Sequence, residues 1–157
     1  MTMVMNDYDY VREHVRQIPD FPKKGILFLD VTTALKDAKA FEKSMNFLYE
    51  SFKNEKIDYV AGMESRGFIY GAALANMFHC GFIPIRKPNK LPAETIKEDY
   101  TLEYGTNTIE MHKDAVKKGD RVLVVDDLLA TGGTAVAACN LVERLGGEVV
   151  STAFIIE

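Results

Sequence analysis

The sequence predicts an α/β domain: a central, mostly parallel sheet flanked by helices. Three observations carry that expectation. From Ile57 onward, short apolar segments alternate with stretches of helical periodicity. One of those segments, Arg121 to Val125 (RVLVV), is almost wholly apolar, as a strand covered on both faces must be. It runs into two carboxylates and a glycine-rich turn before another helix.

The elements follow in order. Asp7 to Ile18 places Tyr8, Val11, Val15 and Ile18 on one helical stripe and stops at Pro19. Residues 20–33 (DFPKKGILFLDVTT) open as a turn and carry a short apolar run, a strand or small ordered hood. Asp37 caps a core-facing helix with Phe41, Met45, Leu48 and Phe52 at helical spacing. IDYVAG is a short strand, and after ESRGF a helix runs through Ile69, Ala72, Ala73 and Met77. Gly81 to Ile85 is a further strand. The stretch 86–118 reads as a largely irregular lid, within which Thr108 to His112 alternates like a half-buried strand. After the glycine-rich turn a helix turns Ala135, Ala138, Cys139, Val142 and Leu145 inward and ends at Gly146-Gly147; EVVSTAFII is the last strand.

Composition narrows the function classes. The 157 residues, 47% hydrophobic and 27% charged, suit a single domain. A net charge of -4 argues against a nucleic-acid binder that works by neutralising phosphates. Cys80 and Cys139 lie far apart and near no His cluster, so they read as buried thiols of a reducing compartment. No apolar run approaches membrane-spanning length, and MTMVMNDYDY lacks the basic and apolar regions of a secretion signal. A cytoplasmic protein with no membrane or nucleic-acid partner is expected.

The strongest chemical signal is VLVVDDLLATGGT, Val122 to Thr134. A buried strand delivers Asp126 and Asp127 to the carboxyl edge of the sheet, where ligands bind in open α/β folds. Ala130, Thr131, Gly132, Gly133 and Thr134 then open a helix. The glycines allow a sharp turn, so amide N–H groups and the two hydroxyls converge on one anion at the helix N-terminus. That suits a phosphate monoester. Carboxylates are pure acceptors and repel phosphate, so Asp126 and Asp127 suit hydroxyl groups instead. A phosphate beside a diol is a ribose 5-phosphate. A second constellation, Glu64-Ser65-Arg66-Gly67 after a strand, offers amides and a guanidinium to a diphosphate. Arg86, Lys87 and Lys90 give the lid positive charge, and Gly105 offers it a hinge.

These segments resemble the type I phosphoribosyltransferases, and the adenine phosphoribosyltransferases among them. The likeness runs through DFPKKGILFLDVTTALKD, VAGMESRGFIYGAALA, GFIPIRKPNKLPAE, YTLEYGTNTIEMHKDAV, VLVVDDLLATGGTA and LGGEVVSTAFIIE. It implies the type I phosphoribosyltransferase fold in one domain over 1–157, with a small N-terminal hood and a flexible lid. It also implies transfer of a 5-phosphoribosyl group from 5-phosphoribosyl 1-pyrophosphate to N9 of adenine. By that resemblance Ala130 to Thr134 bind the 5-phosphate, and Asp126 and Asp127 the ribose. Glu64, Ser65, Arg66, Arg86, Lys87 and Lys90 attend the pyrophosphate, with a cis bond expected at Glu64-Ser65. Glu103 and Arg66 are the implied catalytic residues. The backbone around Leu27 and Leu29 reads the adenine edge while Phe28 stacks on the ring. Mg²⁺ is the implied cofactor, held mainly by the donor with no direct protein ligand, and a homodimer is the implied assembly.

The chain departs from the family pattern at Lys24, Leu29 and Thr33, where proline, arginine and proline are common. These hood departures leave room for another purine base, such as hypoxanthine, guanine or xanthine. A non-catalytic sensor of the same donor is the reading from a different class. Its usual basic face and appended nucleic-acid-binding domain are not in this sequence. Family members usually continue past the last strand with a tail near the base site and the dimer interface. This chain stops at Glu157, which bears on its activity and dimer stability.

Overall fold

The computed structural model describes residues 6–102 and 105–157, which form two compact units divided after Ser51. In the first unit, α1 (Asp7–Glu13) starts at Asn6, whose Oδ1 accepts the Asp9 N–H at 2.8 Å. This helix is shorter than the apolar stripe predicts. Beyond it Arg16–Pro19 is a strand, β1, paired antiparallel with β2 (Leu27–Asp30), so Ile18 faces Phe28 across a ladder rather than continuing a helix. The reason is tertiary. The Thr33 hydroxyl accepts the Arg16 N–H at 3.1 Å and donates to the His14 carbonyl at 2.6 Å, closing the helix and opening the strand. Arg16 then pairs with Asp30 at 2.6 Å. Bonds from Thr32 and Arg16 hold the Asp30 carboxyl down at about 2.

A short helix, α2 (Thr32–Lys36), leads into α3 (Ala38–Phe52). Asp37 caps α3 as its chemistry predicts, its Oδ1 accepting the Ala40 N–H at 2.8 Å. Met45 and Leu48 are buried, as the spacing predicts.

The second unit holds the predicted parallel sheet. Its strands are β3 (Tyr59–Met63), β4 (Gly81–Ile85), β7 (Arg121–Leu128) and β8 (Glu148–Ile156), in the order β4-β3-β7-β8 and all parallel. Val122, Leu123, Val124 and Val125 are all fully buried, which explains why RVLVV shows no alternation. Each such side chain contributes roughly 1.5–3 kcal/mol relative to exposure.

Two crossover helices link these strands: α4 (Arg66–Met77) joins β3 to β4, and α5 (Gly133–Arg144) joins β7 to β8. The sequence reading runs α4 through Ile69, Ala72, Ala73 and Met77, yet its buried residues are Gly67, Tyr70, Gly71, Leu74 and Ala75. Close backbone approach decides this. A Cβ on Gly62 of β3 would lie 2.7 Å from the Gly67 carbonyl oxygen, so the helix meets the sheet through glycines. On α5, Ala135, Ala138 and Val142 are buried as expected, joined by Ala137 and Leu141.

The stretch after β4 is more regular than the sequence suggests. It forms an antiparallel hairpin, β5 (Thr95–Leu102) with β6 (Gly105–His112). Ile96 and Tyr100 on β5 and Ile109 and Met111 on β6 pack against the core that α5 also covers. Most of the charges that suggest a loop, Lys87, Lys90, Glu94, Lys97 and Asp99 among them, are exposed. Among the described residues, no helix is long and apolar enough to cross a membrane.

Candidate active site

The sheet order places a topological switch point between β3 and β7. From β3 the chain crosses to β4 on one side, and β7 joins on the other. Open α/β sheets bind ligands at the carboxyl ends of strands flanking such a point. Every phosphate- and ribose-site residue predicted in this unit lies on or just beyond the carboxyl ends of three adjacent strands. Glu64, Ser65 and Arg66 follow β3, Arg86, Lys87 and Lys90 follow β4, and Asp126 and Asp127 end β7. Glu103 lies outside the described residues.

β7 runs further than RVLVV suggests, to Leu128, because β8 keeps pairing with it through Asp126↔Phe154 and Leu128↔Ile156. The two carboxylates are therefore held by strand geometry rather than by a loop. Asp127 is only 4% exposed, and its Oδ2 accepts a hydrogen bond from Arg66 Nε. The Asp127 N–H donates to Asp126 Oδ1 at 2.9 Å. Burial pushes the Asp126 carboxyl up to about 7, and the adjacent Asp127 charge pushes the same way, against the Asp127 N–H and Arg66. A Cβ on Gly67 would lie 2.8 Å from Asp126 Oδ1 and 3.0 Å from the Val125 carbonyl oxygen, so only glycine lets α4 begin against this strand end.

Beyond β7, Ala130 and Thr131 are exposed, and Gly132 caps α5 in the left-handed region with φ of 82°. Gly132 brings no side-chain hydrogen bond to this helix start. Its first-turn N–H groups have no partner within the helix and stay available to an anion. Gly133 is needed for a second reason: a Cβ there would meet the Tyr100 ring of β5 at 3.2 Å.

The Glu64-Ser65 peptide bond is cis, as the resemblance implies. Glu64 does not stand among the phosphate donors as a bare carboxylate. Its Oε2 accepts from Arg86 Nε at 2.9 Å and from the Lys87 N–H at 3.1 Å, so it anchors the basic turn. Arg86 Nη1 also donates to the Lys90 carbonyl at 3.2 Å, and its guanidinium lies 5.9 Å from the Phe68 ring centre. Lys87 and Lys90 are exposed.

Sequence reasoning missed Glu110. In TIEMH it reads as the solvent side of a half-buried strand, yet it is 3% exposed. Its Oε2 accepts the Asn89 N–H at 3.2 Å and its Oε1 pairs with Lys97 at 3.0 Å. The signal that finds it is spatial: only the pairing of Arg86 with Glu110 brings the basic turn over β6.

The hood residues belong to the first unit. Leu27 is 54% exposed, and Phe28 packs edge-on against Phe21 with ring centres 5.2 Å apart. Among the described residues β2 pairs only with β1, which leaves its other edge with backbone donors and acceptors to offer a planar base. Among the described residues no three His, Cys, Asp or Glu side chains gather into a metal cluster.

Residues 31–157 match the phosphoribosyl transferase domain family. Over 150 residues, 96% of this chain and 82% of the relative, the sequence is 57% identical to the adenine phosphoribosyltransferase of Koribacter versatilis. The crystal structure of the Thermoanaerobacter pseudethanolicus adenine phosphoribosyltransferase superposes with a TM-score of 0.91 at 54% identity, covering 94% of this chain and 86% of that one. The Saccharomyces cerevisiae adenine phosphoribosyltransferase, complexed with D-2,5-dideoxy-2,5-imino-altritol 1,6-bisphosphate and adenine, gives a TM-score of 0.90 at 40% identity. That match covers 96% of this chain and 88% of the yeast chain. With its parallel sheet, its switch-point site and these relatives, the chain belongs to the adenine phosphoribosyltransferases of the phosphoribosyl transferase domain family.

Proposed function

We propose that the chain transfers the 5-phosphoribosyl group of 5-phosphoribosyl 1-pyrophosphate to N9 of adenine, giving AMP and pyrophosphate. The observation that carries the reading is the likeness to adenine phosphoribosyltransferases over nearly the whole chain. The switch-point site supports it: acceptors for a diol sit beside an anion-binding helix start and a basic turn.

The residue roles follow from chemistry. Ala130 to Thr134 and the first N–H groups of α5 take the 5-phosphate. Asp126 and Asp127 accept from the ribose hydroxyls and favour positive charge developing on the ring. The bond from C1 to the pyrophosphate oxygen breaks ahead of attack by N9, and its electron pair leaves with the pyrophosphate. Arg66, with Arg86, Lys87 and Lys90, holds that leaving charge. The edge of β2 at Leu27 and Leu29 reads the base, and Phe28 stacks on it. A base site of fixed donors and acceptors tells a 6-amino from a 6-oxo purine because the wrong edge leaves buried groups unpaired. Glu103 is assigned to the base as a hydrogen-bonding or acid–base partner.

Mg²⁺ is the proposed cofactor. Magnesium prefers hard oxygen ligands, which the donor's own oxygens would supply, with no direct ligand from this chain. When bound, it would neutralise charge on the leaving diphosphate. A homodimer working in the cytoplasm is the assembly and location that the family resemblance supports.

The test is turnover of 5-phosphoribosyl 1-pyrophosphate with Mg²⁺ and each purine base, followed as nucleotide formed. AMP from adenine, abolished in Arg66→Ala and strongly reduced in Glu103→Ala, is the expected result. Nucleotide from a 6-oxo purine instead would overturn the base assignment, and donor binding without turnover on any base would indicate a sensor.

A further inference from the structure

We propose that Glu110 is a positioning residue for the diphosphate end of the donor. It holds the turn from Arg86 to Lys90 in the shape that presents its cations. The inference rests on the assignment of that turn to the diphosphate made above.

Glu110 lies on β6 between Ile109 and Met111, and all three are buried. Alternation along a strand sends the two apolar side chains to one face and Glu110 to the other. Ile109 and Met111 join the core cluster, so Glu110 is covered on the opposite side, where its partners are the turn and Lys97. A carboxylate taken out of water is disfavoured unless charge and hydrogen bonds compensate it. Here they do, through Lys97 at 3.0 Å and the Asn89 N–H at 3.2 Å.

The same residue clasps the turn at its other end. The Arg86 N–H donates to the Glu110 carbonyl at 3.0 Å, and the Glu110 N–H returns a bond to the Arg86 carbonyl at 2.7 Å. Asn89, whose N–H meets the carboxylate, stands in the left-handed region at φ of 64°, where the chain reverses between Lys87 and Lys90. Glu64 grips the start of the turn from β3 through Arg86 Nε and the Lys87 N–H. Two carboxylates beneath a basic turn thus bind its backbone and one guanidinium, and the Lys87 and Lys90 side chains stay exposed. An apolar residue at 110 would bury as well as Ile109 does, but would leave Asn89 unheld.

The test separates the two halves of the donor. Glu110→Leu is expected to weaken binding of inorganic pyrophosphate with Mg²⁺ by about tenfold, the scale of one lost charge-assisted hydrogen bond. Binding of ribose 5-phosphate is expected to stay at the wild-type value, both ligands being followed by titration calorimetry. Glu110→Gln keeps an acceptor oxygen for Asn89 and is expected to restore most of the pyrophosphate affinity. If Glu110→Leu does not fold, Glu110→Asp carries the same expectation, since it keeps the charge but withdraws the acceptor from Asn89. Equal weakening of both ligands would reduce Glu110 to a structural role and overturn the proposal. So would wild-type pyrophosphate binding in Glu110→Leu alongside weak binding in Arg86→Ala. Wild-type pyrophosphate binding in Arg86→Ala and Lys90→Ala together would instead refute the assignment of the turn itself.

Discussion

Arg66 and Asp127 stand sixty-one positions apart in sequence and meet in an ion pair at the switch point between β3 and β7. The pair joins the residue assigned to the leaving pyrophosphate to one assigned to the ribose. Asp127's side chain is 5% exposed, against 36% for Arg66, so the carboxylate depends on the guanidinium more than the reverse.

Arg66→Ala is therefore expected to cost stability as well as turnover. Removing the guanidinium leaves a buried carboxylate short of a partner, at a cost of about 1–3 kcal/mol. Asp127→Asn removes the charge while keeping an acceptor oxygen, and in the double variant the two losses should sum to less than the separate effects. Urea denaturation of the four proteins checks this; strictly additive losses would mean that the pair carries no coupling.

Asp126 makes stability depend on pH in a direction opposite to most carboxylates. Its folded-state value is raised from 3.8 to about 7, so the native protein holds a proton that the unfolded chain has already released. The contribution is fully present below the unfolded value and is lost as pH rises through about 7. Asp126→Asn lacks this proton linkage. Its Tm relative to wild type should therefore rise by several degrees between pH 5 and pH 8, measured by scanning calorimetry. A difference that stays constant over that range would show that Asp126 ionises normally.

The hairpin is tied to the helix that opens at the glycine-rich turn. Glu98 on β5 accepts from Asn140 at 2.9 Å and from Arg144 at 2.7 Å, both on α5. Glu98→Ala should cost about 1 kcal/mol on denaturation. It should also speed amide hydrogen exchange along β5 and β6 more than along β3 and β7. Arg144 keeps its bond to the Lys97 carbonyl in that variant, so the hairpin should loosen rather than detach. Unchanged exchange would show that the apolar contacts of Ile96 and Tyr100 hold the hairpin alone.

By itself the sequence determined the parallel sheet, the crossover helices and the loop chemistry, because those signals are local. Four consecutive fully buried residues in β7, an aspartate before α3, and glycines opening α5 each write their structure into a few adjacent positions. Only the tertiary structure decided what depends on residues far apart in the chain. The helical stripe of the first segment yielded to a strand because Thr33 and β2 supplied its partners. The inward face of α4 went to Gly67, Tyr70, Gly71 and Leu74 rather than to the stripe of Ile69 and Ala73, since Gly67 and Gly71 mark the close approach to the sheet. Glu110 gives no local sign of burial, because its partners, Asn89 in the basic turn and Lys97 on β5, are both distant in sequence. Hydrophobic periodicity and turn residues act over a few positions, whereas hydrogen bonds that bridge strands and turns exist only once the chain has closed on itself.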